Sequence, residues 1–407
     1  MFCTRPCILT RRKTVISKEI EKLQKELDNI DMNIQMSVDD YDSYDDFLGK
    51  MEINSYGHVS FNGYKSDILK SGIQKYTRRG NFNKGLYCLI ELDLFKRMGN
   101  RCKGIRTNMI NRLMIILFED VGIEIGIDNL LKIHQYLTLW KESIGENHHE
   151  DFYDDRFYLI NIYRLFFKKR GNRVNDWIRH VYKHGANDDD ILERYDEFYD
   201  GLYDVKKGYG RRFYVKNDSD EIKNAIDGFC YFMDLKEDKM FYYMFKIIDS
   251  IYESGCRDKK RKKMFIVLDI LKKKFTVRNL KNKKLYEFIY ELCTEHNNTR
   301  DEYWLYLVGL VRLFVYGDHE NDIDNDDDDI QTGEINAYYD FNTTGNRIFL
   351  DKFVYDMHVF TRKGKRAYRK KMTEEFVMEG SIVTDEQLYY DMHYKYKEIY
   401  NFMKLNR

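Results

Sequence analysis

Between residues 7 and 407 this chain contains no proline; the only one it has is Pro6. Proline lacks the amide hydrogen that a helix interior needs and clashes with the preceding turn, so its absence removes the commonest reason for a helix to stop. A chain free of that punctuation, with 43% apolar residues over 407 positions, has the material for two or three cores built of helices. The expected fold class is all-α: a helical bundle or an array of helical hairpins, with a short N-terminal coiled segment and a small C-terminal segment.

Charge narrows the choice of partner. The 68 basic and 68 acidic residues cancel, so no global field steers the protein toward nucleic acid or an anionic membrane, and any such binding must be local. The cysteines, Cys3, Cys7, Cys88, Cys102, Cys230, Cys256 and Cys293, form no C-x-x-C pair and are too widely spread for a disulfide framework. Reduced thiols in an intracellular compartment are expected. The most apolar stretch, Trp304 to Tyr316, is short and carries Arg312, which argues against a membrane span, and no charged-then-apolar leader precedes it. The abundance of Ile, Lys, Asn, Asp and Tyr, 34 of the last, with few Ala, is what an AT-rich coding sequence such as that of a large DNA virus supplies. Host cytoplasm, viral factory or nucleus are the matching locations.

Along the chain, residues 1–50 comprise a basic leader, a short heptad helix and an acidic linker. Ile16, Ile20, Leu23, Leu27, Ile30 and Ile34 alternate in steps of four and three, an a/d seam that serves either a helix folded back on its own domain or a dimer contact. Met51 to Tyr64 suits a small hairpin or an extended arm. The central helical domain is expected over 51–316. Within it Ile68, Leu69, Ile73 and Tyr76 share one helix face that Gly80-Asn81 ends, and Asn83 to Lys96 forms a second helix. Asn108 to Phe118 is apolar on nearly all sides and belongs in the middle of a bundle. Aromatic-rich helices follow at Phe157 to Phe167 and Trp177 to Tyr182. Gly85–Leu92 is echoed by Met240–Ile247, and Arg112–Leu117 by Lys263–Leu268, with a weaker third copy beginning at Tyr303-Trp304. Either stacked repeats or convergent amphipathic patterning explains the echo. The dense acids from Asp318 to Asp329 repel one another, so 317–334 is expected to be a disordered spacer and 335–407 a basic C-terminal segment.

Three basic clusters are candidates for nucleic-acid contact, each with the alternative of plain solvated or packed surface. The first is Lys75, Arg78 and Arg79 beside Tyr76, followed by Arg97, Arg101, Lys103, Arg106 and Arg112; cations neutralise phosphates and an aromatic stacks on an unpaired base. The second is Arg257 to Lys284, thirteen Lys or Arg against two Asp, centred on Lys259, Lys260, Arg261, Lys262 and Lys263, which also suits a nuclear localisation signal. The third is the tail turn with Arg362, Lys363, Lys365 and Arg366 near His358 and Asp356, where anion contact outweighs acid–base chemistry. Metal binding is not expected. Asp322, Asp324 and Asp326 begin like a calcium loop, but Asp327 stands where Gly is needed and Gly333 where Glu is needed. His148-His149-Glu150 lacks zinc-site spacing. No Walker loop, nucleophile elbow or dinucleotide fingerprint occurs, so no cofactor and no enzymatic activity are expected.

One ordered motif goes further: Ile73, Lys75, Arg78, Arg79 and Gly80, then Leu86 and Tyr87, then Arg112 and Glu119-Asp120-Val121-Gly122. This set resembles the C-terminal helical, collar-forming region of the clamp-loader-like ATPases of the MgsA, RarA and Werner-helicase-interacting-protein family. Cys88 stands where that family usually has Trp, and Phe118 where it has Ser. The resemblance covers about 64 to 135 and lacks the ATPase core. It implies self-association, with Ile73, Leu86, Tyr87 and Tyr242 as packing positions alongside Ile20, Leu23 and Leu27 of the heptad seam. It also implies DNA as partner, single-stranded or forked, together with a replication or repair protein, and no membrane. The expectation is a non-catalytic accessory of DNA replication, repair or packaging. The alternative is a viral structural or virion-core scaffold without DNA binding.

Overall fold

A computed structural model describes residues 60, 62–95, 103–144, 153–169, 171–187, 204–216, 218–249, 264–276, 279–295, 303–317 and 329–354. Among the described residues there are twelve α-helices and no strand, an all-α array. The heptad seam, the run 259–263 and the tail turn at 362–366 lie outside the described residues.

The chain enters through a tight turn in which the Gly63 amide donates to the Ser60 carbonyl at 2.8 Å. Helix α1 (Ser66–Arg78) and α2 (Phe82–Asp93) then form a hairpin. The expected face of α1, Ile68, Leu69, Ile73 and Tyr76, is buried. Its end is closed twice: the Gly80 amide donates to the Thr77 carbonyl at 3.0 Å and the Asn81 amide to Tyr76 at 2.9 Å. That closure needs Gly80 at φ 69°, which a residue without Cβ adopts freely. Asn81 also starts the next helix, its side-chain oxygen accepting from the Lys84 amide at 3.2 Å.

Helix α3 (Lys103–Ile116) runs directly into a wider π turn, Leu117–Val121, then a 3-10 turn, and α4 (Ile127–Ile144) packs on α5 (Tyr153–Leu165). After α6 (Val174–Asn187) the same order recurs. Helices α7 (Asp220–Leu235) and α8 (Lys239–Asp249) make a hairpin, α9 (Met264–Leu271) ends in a second π turn, Lys272–Thr276, and α10 (Leu280–Glu295) packs on α11 (Tyr303–Tyr316). The second hairpin closes as the first does, with the Glu237 amide on the Phe232 carbonyl at 2.9 Å and Lys236 on Met233 at 3.2 Å. Here the positive-φ position, at 57°, is Lys236 and not a glycine. The sequence echoes thus fall on corresponding elements, α2 with α8 and α3 with α9. Tyr303 opens α11, which packs on α10 and is the second helix of its pair, as α2 and α8 are of theirs.

The two halves meet through α4 on α10 and through α6 against α8 and α11. Helix α11 is buried from Trp304 to Val315, as an all-round apolar helix must be. Close passage requires its glycine: a Cβ on Gly309 would lie 2.8 Å from the Phe118 ring. No helix among the described residues is long and apolar enough to cross a membrane.

The last helix among the described residues, α12 (Thr332–Thr343), packs on α2 and α5. Ile330 ahead of it is buried with its amide on Asn161 Oδ1 at 2.9 Å, and the turn Lys352–Val354 lies on α1. Residues 329–354 therefore belong to the same core as the central helices. The boundary expected at 317–334 separates no second unit there, because Ile330, Ile335, Tyr339 and Val354 are needed to cover α1, α2 and α5.

Candidate functional site

The motif at the end of α1 is built into the interior. Arg78 is 2% exposed, and its guanidinium meets Asp120 in the first π turn, Nε at 2.8 Å and Nη2 at 2.7 Å from Oδ1. Gln74, one turn earlier, donates to Asp120 Oδ2 at 2.7 Å and to Glu119 Oε1 at 3.1 Å. Arg173 reaches Glu119 at 3.0 Å and also pairs with Asp176, which Arg179 holds at 2.5 Å. Arg312 of α11 binds Glu124 at 2.6 Å and the Asn175 side-chain oxygen at 2.6 Å. Four arginines thus face four carboxylates around the first π turn, a balanced arrangement that a buried charge requires. Burial and the neighbouring Asp120 and Asp176 push the Glu119 carboxyl above its usual range. Burial would do the same to Glu124, but Arg312 outweighs it and holds that carboxyl low.

These contacts correct the reading of the first basic cluster. Lys75, 3% exposed, spends its ammonium on the Phe353 carbonyl at 2.5 Å, and Arg78 is spent on Asp120. A phosphate could claim either only by stripping it from a partner inside the fold, for Arg78 the fully buried Asp120. Arg79 is half-buried with its guanidinium 3.8 Å above the Phe353 ring, and Arg112 is partly exposed on α3. Of the packing positions, Ile73, Leu86, Tyr87 and Tyr242 are all in the core of the single chain. Ile20, Leu23, Leu27, Arg97, Arg101, Lys259, Lys260, Arg261, Lys262, Lys263, Arg362, Lys363, Lys365 and Arg366 lie outside the described residues.

A second basic surface does not stand out in the sequence, although its signal is plain once the fold is known: Lys206-Lys207-Gly208-Tyr209-Gly210-Arg211-Arg212, four cations around two glycines. The loop is clamped from beneath by Asp227 of α7, which is 1% exposed. Its carboxylate accepts from the Gly208 amide at 2.6 Å, the Gly210 amide at 2.7 Å and the Tyr214 hydroxyl at 2.5 Å. Both glycines are required. Gly208 has φ 81°, and a Cβ on Gly210 would meet Ile226 Cγ2 at 2.7 Å. With the backbone turned inward, Lys206, Lys207, Arg211 and Arg212 remain at the surface, and Tyr209 is 40% exposed.

The second π turn adds to this surface. Lys273 Nζ lies 5.8 Å from the centroid of the Phe213 ring, and Arg212 lies 4.7 Å from the same ring. Lys274 pairs with Asp234, which also accepts the Tyr209 hydroxyl at 2.9 Å. Burial pushes the Cys230 thiol beneath them up to about 12, with Lys274 and Arg212 pulling the other way. Lys273 and Lys274 of the Arg257–Lys284 run are thereby joined to a loop some sixty residues earlier in the chain, while Lys272 lies over Tyr286 of α10.

Among the described residues no group of three or more His, Cys, Asp or Glu is placed to hold a metal ion. Comparison of the chain with family models, with curated proteins and with solved structures finds no match.

Proposed function

We propose that this protein is a non-catalytic accessory of DNA replication, repair or packaging, a helical scaffold that holds DNA on the clamped basic loop 206–212 and on Lys273 of the adjoining turn. One observation carries the reading: four surface cations and an exposed tyrosine are presented by a loop whose backbone is fixed by the buried Asp227. Fixed cations neutralise phosphates without the entropic cost of ordering a mobile loop, and Tyr209 offers a ring face to a base. The sequence resemblance to a collar region of fork-acting ATPases supports the same class of partner. Since Ile73, Leu86, Tyr87 and Tyr242 are consumed within one chain, self-association in this reading falls to the heptad seam with Ile20, Leu23 and Leu27.

The test is fluorescence anisotropy with labelled single-stranded, duplex and forked DNA over a salt series, with light scattering for the oligomeric state. Affinity should fall steeply with salt, and an Arg211→Ala/Arg212→Ala variant should lower the logarithmic slope by about 1 to 2. Absence of binding at low salt defeats the proposal. The second reading, a virion scaffold that only self-assembles, is favoured by the internal commitment of Lys75 and Arg78, and salt-insensitive association without DNA affinity would establish it.

A further inference from the structure

Beside the basic loop, between it and helices α7 and α8, lies a cleft of about 470 Å³. Lys207 belongs to both: it is one of the loop cations and also lines the cleft. Among its other walls are Asn224 and Glu221 on α7, Tyr243 and Lys246 on α8, and Val205 at the loop's start, with the clamp residue Asp227 also lining it. The volume falls within the roughly 300–1,000 Å³ of small-molecule sites. Its lining is of mixed chemistry. A ring wall stands at Tyr243, an exposed amide at Asn224 offers a donor and an acceptor, a carboxylate at Glu221 can accept from an amino or hydroxyl group, and lysines stand at two places.

We infer that this cleft takes one unpaired nucleotide of a single strand whose neighbouring phosphates run along the basic loop, a reading that rests on the nucleic-acid function proposed above. The shared Lys207 makes the groove and the loop one continuous surface, so a strand tracking the loop passes the cleft mouth. Tyr243 is rigidly backed, stacked on Phe232 at 5.7 Å and 18° and seated over Gly228, and with 7% of its surface exposed it presents a fixed ring edge to a base. A base still paired in a duplex would have to leave its partner to enter, whereas an unpaired base enters without that cost. The cleft therefore confers a preference for single-stranded over duplex DNA, which the loop alone, reading only phosphate charge, does not.

The experiment compares the full-length protein with labelled single-stranded oligo(dT), a mixed-sequence single strand and a matched duplex at one low salt concentration. It includes an Asn224→Trp variant that fills the cleft from an exposed position and leaves the loop cations in place. The wild type should bind the single strands more tightly than the duplex. Asn224→Trp should weaken single-strand binding about tenfold, the loss of one base–aromatic contact, while duplex binding stays unchanged. Equal wild-type affinity for strand and duplex, or a variant that alters both alike, overturns the cleft and leaves the DNA-binding loop standing. No binding of any DNA overturns both. Circular dichroism checks the fold of the variant, and the wild-type comparison decides the matter even if the variant does not fold.

Discussion

Glu91 shows at the scale of one residue how this protein tolerates a polar core. It is 1% exposed on α2, and its Oε1 accepts from the Asn62 amide group at 2.7 Å and from that of Asn342 at 3.0 Å. Burial raises its pKa above the usual 4.5, and the hydrogen bonds from Ser60, Asn342 and Asn62 offset only part of that. A carboxyl whose folded pKa is raised binds its proton more tightly in the folded than in the unfolded chain. Its contribution to stability is complete below the unfolded value and is lost as pH rises through the folded one. A difference of one pKa unit corresponds to about 1.4 kcal/mol. Glu91→Gln should therefore flatten the decline in stability above the ordinary glutamate range, measured by urea unfolding at about pH 5 and about pH 8. Identical slopes for variant and wild type would show that Glu91 is not the group responsible.

At the scale of elements, the informative case is α12. Its Tyr339 hydroxyl donates to Asp93 Oδ2 at 2.7 Å, while Arg106 holds the other oxygen at 3.1 Å and Asp155 at 2.8 Å. Tyr339→Phe leaves a buried carboxylate oxygen without its donor and should cost about 1–3 kcal/mol in a urea melt. An unchanged midpoint would mean that α12 is not integral to the core. The helices themselves were legible in the sequence because Ile68, Leu69, Ile73 and Tyr76 repeat at helical spacing and no proline intervenes. The attachment of α12 was not legible, since the acids from Asp318 to Asp329 mark a break in composition and say nothing of whether Ile330 and Tyr339 return to the core. Nor does a positive charge announce its side of the surface. Arg78 reads as a phosphate contact until Asp120, forty-two positions on, is seen beside it. The loop at 206–212 was illegible for the converse reason: its meaning depends on Asp227, whose role only the fold reveals.

The whole molecule repeats itself with a change of sign. Arg78 stands two positions before the positive-φ residue Gly80 and is tied to Asp120 in the first π turn; Asp234 stands two positions before the positive-φ residue Lys236 and is tied to Lys274 in the second. The same joint is made in both halves with the charges exchanged. The two joints differ in burial, since the Arg78 and Asp120 side chains are 1% and 0% exposed, whereas Lys274 is 8% exposed but its partner Asp234 is 47% exposed. Arg78→Ala should therefore cost up to about 3–5 kcal/mol, since it leaves four carboxylates to three arginines around the first π turn, with Asp120 keeping Gln74 and Arg173. Lys274→Ala should cost less than that, because the Asp234 carboxylate it leaves behind is solvated and keeps the Tyr209 hydroxyl. Urea titration of the two variants side by side checks this, and comparable losses would mean that the joints are equivalent in energy as well as in place.

The π turns also bear on how such a chain can change over generations. Within an α-helix each residue advances the chain by about 100°, so loss of a single codon swings every later side chain to a new face. A π ring already holds one residue more than an α ring, and removing that residue lets the helix close up without rotating the chain beyond it. None of the residues Lys272–Thr276 is buried, so the second turn can surrender or regain a residue while α10 keeps its register against α4 and α11. In a chain whose described residues are mostly helical, that turn is a place where a change of length disturbs the core least, at the cost of resetting Lys273 and Lys274.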